Sequence, residues 1–245
     1  AWSVSLRYAT PESIAAVFVV AAYYVYLKDK FLLSAALFVF AILTRETALL
    51  FLLILVAIEF QKRRPKIGLL LLCAALPYFL WRAWVTYKFI PVYGWGGFFY
   101  EPANLTWSLM GIAQLYQSIM AGAYIKHLVP AGIIFPLLLG SLFIIALVSL
   151  RNRTPAVSIS LIAYSFLALS LSFRKIWIHV GNAERQTYEV ILLAILLYFQ
   201  VRPEQQSLRR ALVAFFCILF FFDFLLMSED VSFRAGFWIL PTSLK

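Results

Sequence analysis

Charge is scarce in this sequence. Only 13% of its 245 residues are Asp, Glu, Lys or Arg, against 64% hydrophobic ones. A soluble domain of this length has no use for so much apolar surface, so the soluble globular classes are excluded. Cysteine is scarce too: Cys73 and Cys217 both lie inside apolar runs, with no CxxC pair and no metal-ligand neighbour. They are expected to be small buried hydrophobes that report nothing about redox compartment. The two histidines, His127 and His179, stand far apart, and neither has a second ligand at motif spacing. There is no phosphate-binding glycine loop, no HExxH and no GxSxG, so the common soluble-enzyme signatures are absent. The short alternating segments of a transmembrane barrel are missing as well.

What the chain does have is continuous apolar runs separated by short basic loops. This pattern predicts an all-α fold: a polytopic transmembrane helical bundle forming one domain over 1–245. About eight spans are expected, near 11–27, 31–43, 47–60, 67–88, 131–150, 155–172, 187–201 and 211–228. Pro77 predicts a kink in the fourth. Residues 89–104, with three glycines, are expected to form the longest polar loop, followed by an amphipathic helix on the outer surface over about 105–128.

The net charge of +10 raises the question of nucleic acid. Placement answers it. Eleven of the 21 Lys and Arg residues fall in four short loops between apolar runs, which is a topology signal and excludes nucleic acid as the partner. With positive charge on the cytoplasmic side, both termini of the chain lie outside. The basic loops also favour anionic lipid on the cytoplasmic face.

The most informative stretch is Phe31–Lys66, where two apolar arms flank Arg45-Glu46 and basic clusters close both ends. Each arm has about 14 apolar residues, or roughly 20 Å of helix, whereas a bilayer core is about 30 Å thick. The arginine therefore sits at or below the outer headgroup level, where a charge is costly and a function is the default reading. The bland alternative is that the two charges solvate the turn, pair with each other or pair with neighbouring helices.

Glu12, Arg45, Glu46, Arg174, Lys175, Glu184 and Arg185 all map to the outer face. Arginine forks bind phosphate oxygens in pairs and lysine supplies a point charge, so this set suits a lipid-linked phosphate. Glu12 is a weak candidate for the catalytic group, although a carboxylate at a helix start is favourable in any case. Arg185 has a snorkelling alternative. Asp223, inside the last span, is expected to face other helices. Trp81, Trp84, Trp95, Trp107 and Trp177 are also outer, where an aromatic belt explains them as well as sugar stacking does.

The segment AILTRETALLFLLILVAIEFQKRRP resembles a stretch of bacterial polytopic glycosyltransferases with the GT-C fold. There a short helical hairpin carries Leu-Thr-Arg-Glu or Leu-Thr-Lys at its tip. The preceding ATPESIAAVFVVAAYYVYLKDK is similar to the helix before that hairpin, and GNAERQTYEVILLAILLYF to a segment in which an arginine precedes a late helix. The resemblance covers most of residues 1–70 and the rest more weakly. It implies an integral protein of a bacterial cytoplasmic membrane that takes a sugar from a polyprenyl-phosphate carrier and transfers it on the outer face, in cell-envelope glycan synthesis. Arg45, Glu46 and Arg185 would hold the carrier phosphate, with Arg174 and Lys175 nearby. The family uses an acidic residue of the first outer loop as base or metal contact. That admits a divalent metal ion but assigns no metal ligand here and no other cofactor.

The chain departs from the family pattern at its start. It begins Ala-Trp-Ser, residues 1–9 hold no Asp or Glu, and the family's first helix is missing. It therefore reads as lacking an N-terminal part. Two other functions stay open: a carrier or flippase for a lipid-linked sugar, and a non-catalytic membrane subunit. The first of these is opposed by the absence of paired repeats.

Overall fold

The computed structural model describes residues 11–99, 109–122, 129–150, 155–170, 188–201 and 204–221, and among them every regular element is a helix. They are α1 (Pro11–Tyr26), α2 (Phe31–Thr44), α3 (Ala48–Gln61), α4 (Pro65–Cys73), α5 (Leu76–Phe99), α6 (Met110–Met120), α7 (Val129–Ser149), α8 (Pro155–Leu169), α9 (Tyr188–Gln200) and α10 (206–221). The all-α expectation holds.

Proline opens α1, α4 and α8, where its missing N–H costs nothing and its fixed φ favours the first turn. Two helices end in the same way. Asp29 (φ 57°) and Arg63 (φ 58°) adopt the left-handed conformation. The amide of Asp29 donates to the carbonyl of Tyr26 and that of Lys30 to Val25; likewise Arg63 donates to Phe60 and Arg64 to Glu59. Both are Schellman closures built without glycine. They reverse the chain tightly, so α1 and α2, and then α3 and α4, run antiparallel.

The fourth apolar run, one stretch over Pro65–Pro91, is interrupted where the expected kink falls. It breaks at Ala74–Ala75, between α4 and α5, and Pro77 lies in the first turn of α5. A proline ring clashes with the carbonyl four residues before it, here that of Cys73, the last residue of α4. α5 then runs on to Phe99, through part of the expected loop. Glycine costs a helix about 1 kcal/mol per residue, a preference that neighbouring residues can outweigh. Between Gly94, Gly96 and Gly97 the stretch is apolar and aromatic rather than polar. Within 105–128 the described residues form α6, with buried Gly111, Ile112 and Leu115 on one side and exposed Gln114 and Met120 on others.

α1 packs most extensively on α2. Small residues line this seam: Ala15, Ala16 and Ala22 on α1, Ser34, Ala35 and Ala41 on α2, all buried. Small side chains let helix backbones approach closely, and the Ser34 hydroxyl bridges the seam by donating to the Ala22 carbonyl at 2.9 Å. α9 is the innermost element; Val190, Ile191, Leu193, Ala194 and Leu197 are almost wholly buried against α8, α7 and α1.

The outside of the bundle is the reverse of a soluble protein's. Leu32, Leu80, Phe199 and Phe220 are each 70% exposed or more. Large apolar side chains exposed in this number belong against lipid or a partner, not water. Among the described residues two stretches, Pro65–Pro91 and Gly132–Ser149, are long and apolar enough to cross a membrane, and five shorter apolar helices accompany them. Cys73 and Cys217 are exposed on this surface, correcting the expectation that both are buried.

Candidate functional site

Among the described residues, the α2–α3 hairpin tip joins distant parts of the chain through polar contacts. α2 ends at Thr44, whose hydroxyl turns back onto the Phe40 carbonyl at 2.7 Å. Arg45 leaves the helix with extended backbone (φ −154°, ψ 120°), which turns its side chain away from the α2 axis. α3 restarts when the Ala48 amide donates to the Arg45 carbonyl at 3.1 Å. The turn thus closes within three residues and leaves Arg45 8% exposed.

Glu189, in the first turn of α9, meets it. Arg45 Nε lies 3.1 Å from Glu189 Oε1, and both side chains are buried. The Thr47 hydroxyl donates to the same carboxylate oxygen. The Tyr164 hydroxyl, from α8, donates to the Thr47 carbonyl. Three elements distant in sequence therefore converge on one buried ion pair. Such a pair cannot lose one member cheaply, because the remaining charge would stay buried without its partner. The guanidinium and carboxylate hold each other's orientation, which is what an anion-recognising arginine needs from its supporting shell.

Arg45 is buried at the tip and paired with a neighbouring helix. Glu46 is exposed and lies within electrostatic range of Tyr78 on α5, so the two tip charges face different surroundings. Glu12 sits in the first turn of α1, and its side chain is outside the described residues. Arg174, Lys175, Glu184 and Arg185, together with Asp223, His127 and His179, also lie outside the described residues. Trp81 and Trp84 are exposed on α5.

Glu189 was not singled out from the sequence. The usable signal was there: an acid opening an otherwise apolar run, four residues after Arg185. Glu59 was missed on the same grounds, an acid near the end of the apolar arm 47–60. It lies at the opposite end of the bundle, 1% exposed. The Tyr26 hydroxyl donates to its Oε1, and Lys62 Nζ reaches the same oxygen at 3.0 Å. Its Oε2 is buried with no hydrogen-bond partner among the described residues.

Among the described residues no three His, Cys, Asp or Glu side chains come together, so they offer no ligand set for a divalent ion. No family model, curated protein or solved structure matches the chain.

Proposed function

We propose that this chain is an integral membrane protein of GT-C type, with about eight spans, that transfers a sugar from a polyprenyl-phosphate carrier to an acceptor on the outer face. What carries the reading is Arg45: a buried guanidinium at the turn between two apolar helices of 14 residues each. Helices of that length, roughly 21 Å, stop short of a 30 Å hydrocarbon core, so their shared tip lies where a lipid's phosphate travels. The eight-span arrangement draws on the same lengths, on the apolar exterior and on the gathering of basic turns at one end.

In this mechanism the bond between the sugar's anomeric carbon and the carrier phosphate breaks as the acceptor oxygen bonds to that carbon. The electron pair leaves with the phosphate. Arg45 stabilises the charge that develops on the leaving oxygens, a role worth about 100-fold or more in rate for a pre-organised donor. Glu189 is a positioning residue that holds the guanidinium at its Nε, and Thr47 positions the Glu189 carboxylate in turn. Glu46, Arg174, Lys175 and Arg185 supply further polar and charged groups at the carrier headgroup. Glu12 is the candidate for the base that takes the acceptor proton.

The pairing of Arg45 with Glu189 also favours a second reading, a non-catalytic membrane subunit in which the ion pair only fastens α9 to the hairpin. One experiment separates the two. The purified chain in detergent is titrated with polyprenyl phosphate and assayed for transfer from the radiolabelled polyprenyl-phosphate sugar. Wild type is expected to bind the carrier, and Arg45→Lys, which keeps the charge but loses the fork, to weaken binding about tenfold or more. Unchanged binding in both Arg45→Lys and Arg45→Ala removes the residue from the site. A loss confined to thermal stability supports the subunit reading.

A further inference from the structure

We propose that the opposite end of the bundle is a binding surface for the headgroups of anionic phospholipids. This goes beyond the transferase reading and rests only on the chain lying in a bilayer. The surface is formed by two turns that the fold brings together. Lys28 and Lys30 lie in the turn between α1 and α2; Lys62, Arg63, Arg64 and Lys66 lie in and after the turn between α3 and α4. Tyr26 and Glu59 join the turns, since Tyr26 donates to Glu59 and Lys62 Nζ lies 3.4 Å from the Tyr26 hydroxyl and 5.9 Å from its ring centroid.

The charge balance points outward. Only two acids lie in these turns and their flanks, exposed Asp29 and buried Glu59. Glu59 is engaged with Lys62, leaving Lys28, Lys30, Arg63, Arg64 and Lys66, all exposed, against the single carboxylate of Asp29. α10 adds to the same end. Gln200, at the end of α9, donates to the Tyr23 hydroxyl at 3.1 Å, and Arg209 sits over the Tyr198 ring at 5.4 Å.

The class of anion follows from what borders the charges. Leu27, Leu32, Leu33, Phe60 and Leu69 are each 45% exposed or more and lie within a few residues of the basic side chains. A phospholipid satisfies both layers, its phosphate meeting the cations and its acyl chains covering the apolar collar. A nucleic acid meets the first layer and leaves the second in water. The turns hold their backbones through the two Schellman closures, so the cations are presented on fixed stems. Basic side chains near an anionic membrane surface each favour association about fivefold at most.

The full chain, purified in detergent, is exchanged into nanodiscs of phosphatidylcholine containing a minority of phosphatidylglycerol, and lipids retained after mild detergent washing are counted by native mass spectrometry. Wild type is expected to retain the anionic lipid over the neutral one by about tenfold, and the preference to fall as salt is raised. The variant Lys28→Gln, Lys30→Gln, Arg63→Gln, Arg64→Gln, Lys66→Gln, with Glu59 and Lys62 kept, should approach parity at unchanged helicity. Equal retention in wild type overturns the proposal. So does a preference that persists in the variant, or one that ignores salt between 0.05 and 1 M, a reading that needs no variant. Capture of duplex DNA without lipid selectivity would also overturn it.

Discussion

Arg45, Glu189, Thr47 and Tyr164 form a chain of donors and acceptors in which each member depends on the next. Removing one member of the ion pair leaves its partner buried and uncompensated. Arg45→Ala or Glu189→Ala should each lower stability by about 3–5 kcal/mol, and the double variant should lose much less than the sum. Thermal unfolding in detergent measures this; additive losses would mean that the two side chains do not interact. At the other end, Tyr26→Phe deprives the Glu59 carboxylate of a donor. With Oε2 already lacking a partner among the described residues, the expected loss is about 1–3 kcal/mol. Both acids stood in plain view in the sequence, each a lone carboxylate at the edge of an apolar run. Neither was paired correctly in advance, because ion-pair partners are not chosen by sequence distance. Thr47 and Glu189 are 142 residues apart.

The helices themselves were largely legible. Run length, the basic punctuation between runs and proline at helix starts placed most of them within a few residues. Pro77 interrupts the helix at Ala74–Ala75, as its ring chemistry predicts, whereas the loop expected from residue 89 is helical as far as Phe99, because three glycines weigh less than the aromatic residues around them. The Schellman closures lead to a prediction at this scale. Arg63 holds a conformation that glycine adopts without a Cβ penalty. Arg63→Gly is therefore expected to raise stability by up to about 1 kcal/mol, read as a higher thermal midpoint; a fall would mean that the arginine side chain contributes more than its backbone costs. The close approach of α4 to α3 gives the converse case. A Cβ on Gly68 would lie 3.1 Å from the Phe60 ring, and Gly68→Val should destabilise the pair of helices unless that ring, 45% exposed, swings aside.

At the scale of the whole molecule, the bundle has two chemically distinct ends. One gathers the hairpin tip, the start of α9 and the end of α8, where the Leu109 amide donates to the Leu169 carbonyl at 2.9 Å. The other gathers the basic turns. If the bundle stands across a membrane, the ends face opposite compartments. Single cysteines at Lys30 and Lys66, in a background lacking Cys73 and Cys217, should then react with an impermeant maleimide from one side, and a cysteine at Glu46 only from the other. Labelling of all three from one side would mean that the hairpin does not cross.

Sequence alone determined that this chain is helical and too apolar for water, and that its cations lie in the turns. Those properties follow from composition and from local spacing, which act on each segment independently. Which carboxylate meets Arg45, and which two turns share a surface through Tyr26, Glu59 and Lys62, were decided only by tertiary packing. The reason is physical: a buried charge accepts whichever partner the packed helices bring within about 3 Å, and no local pattern in the chain encodes that encounter.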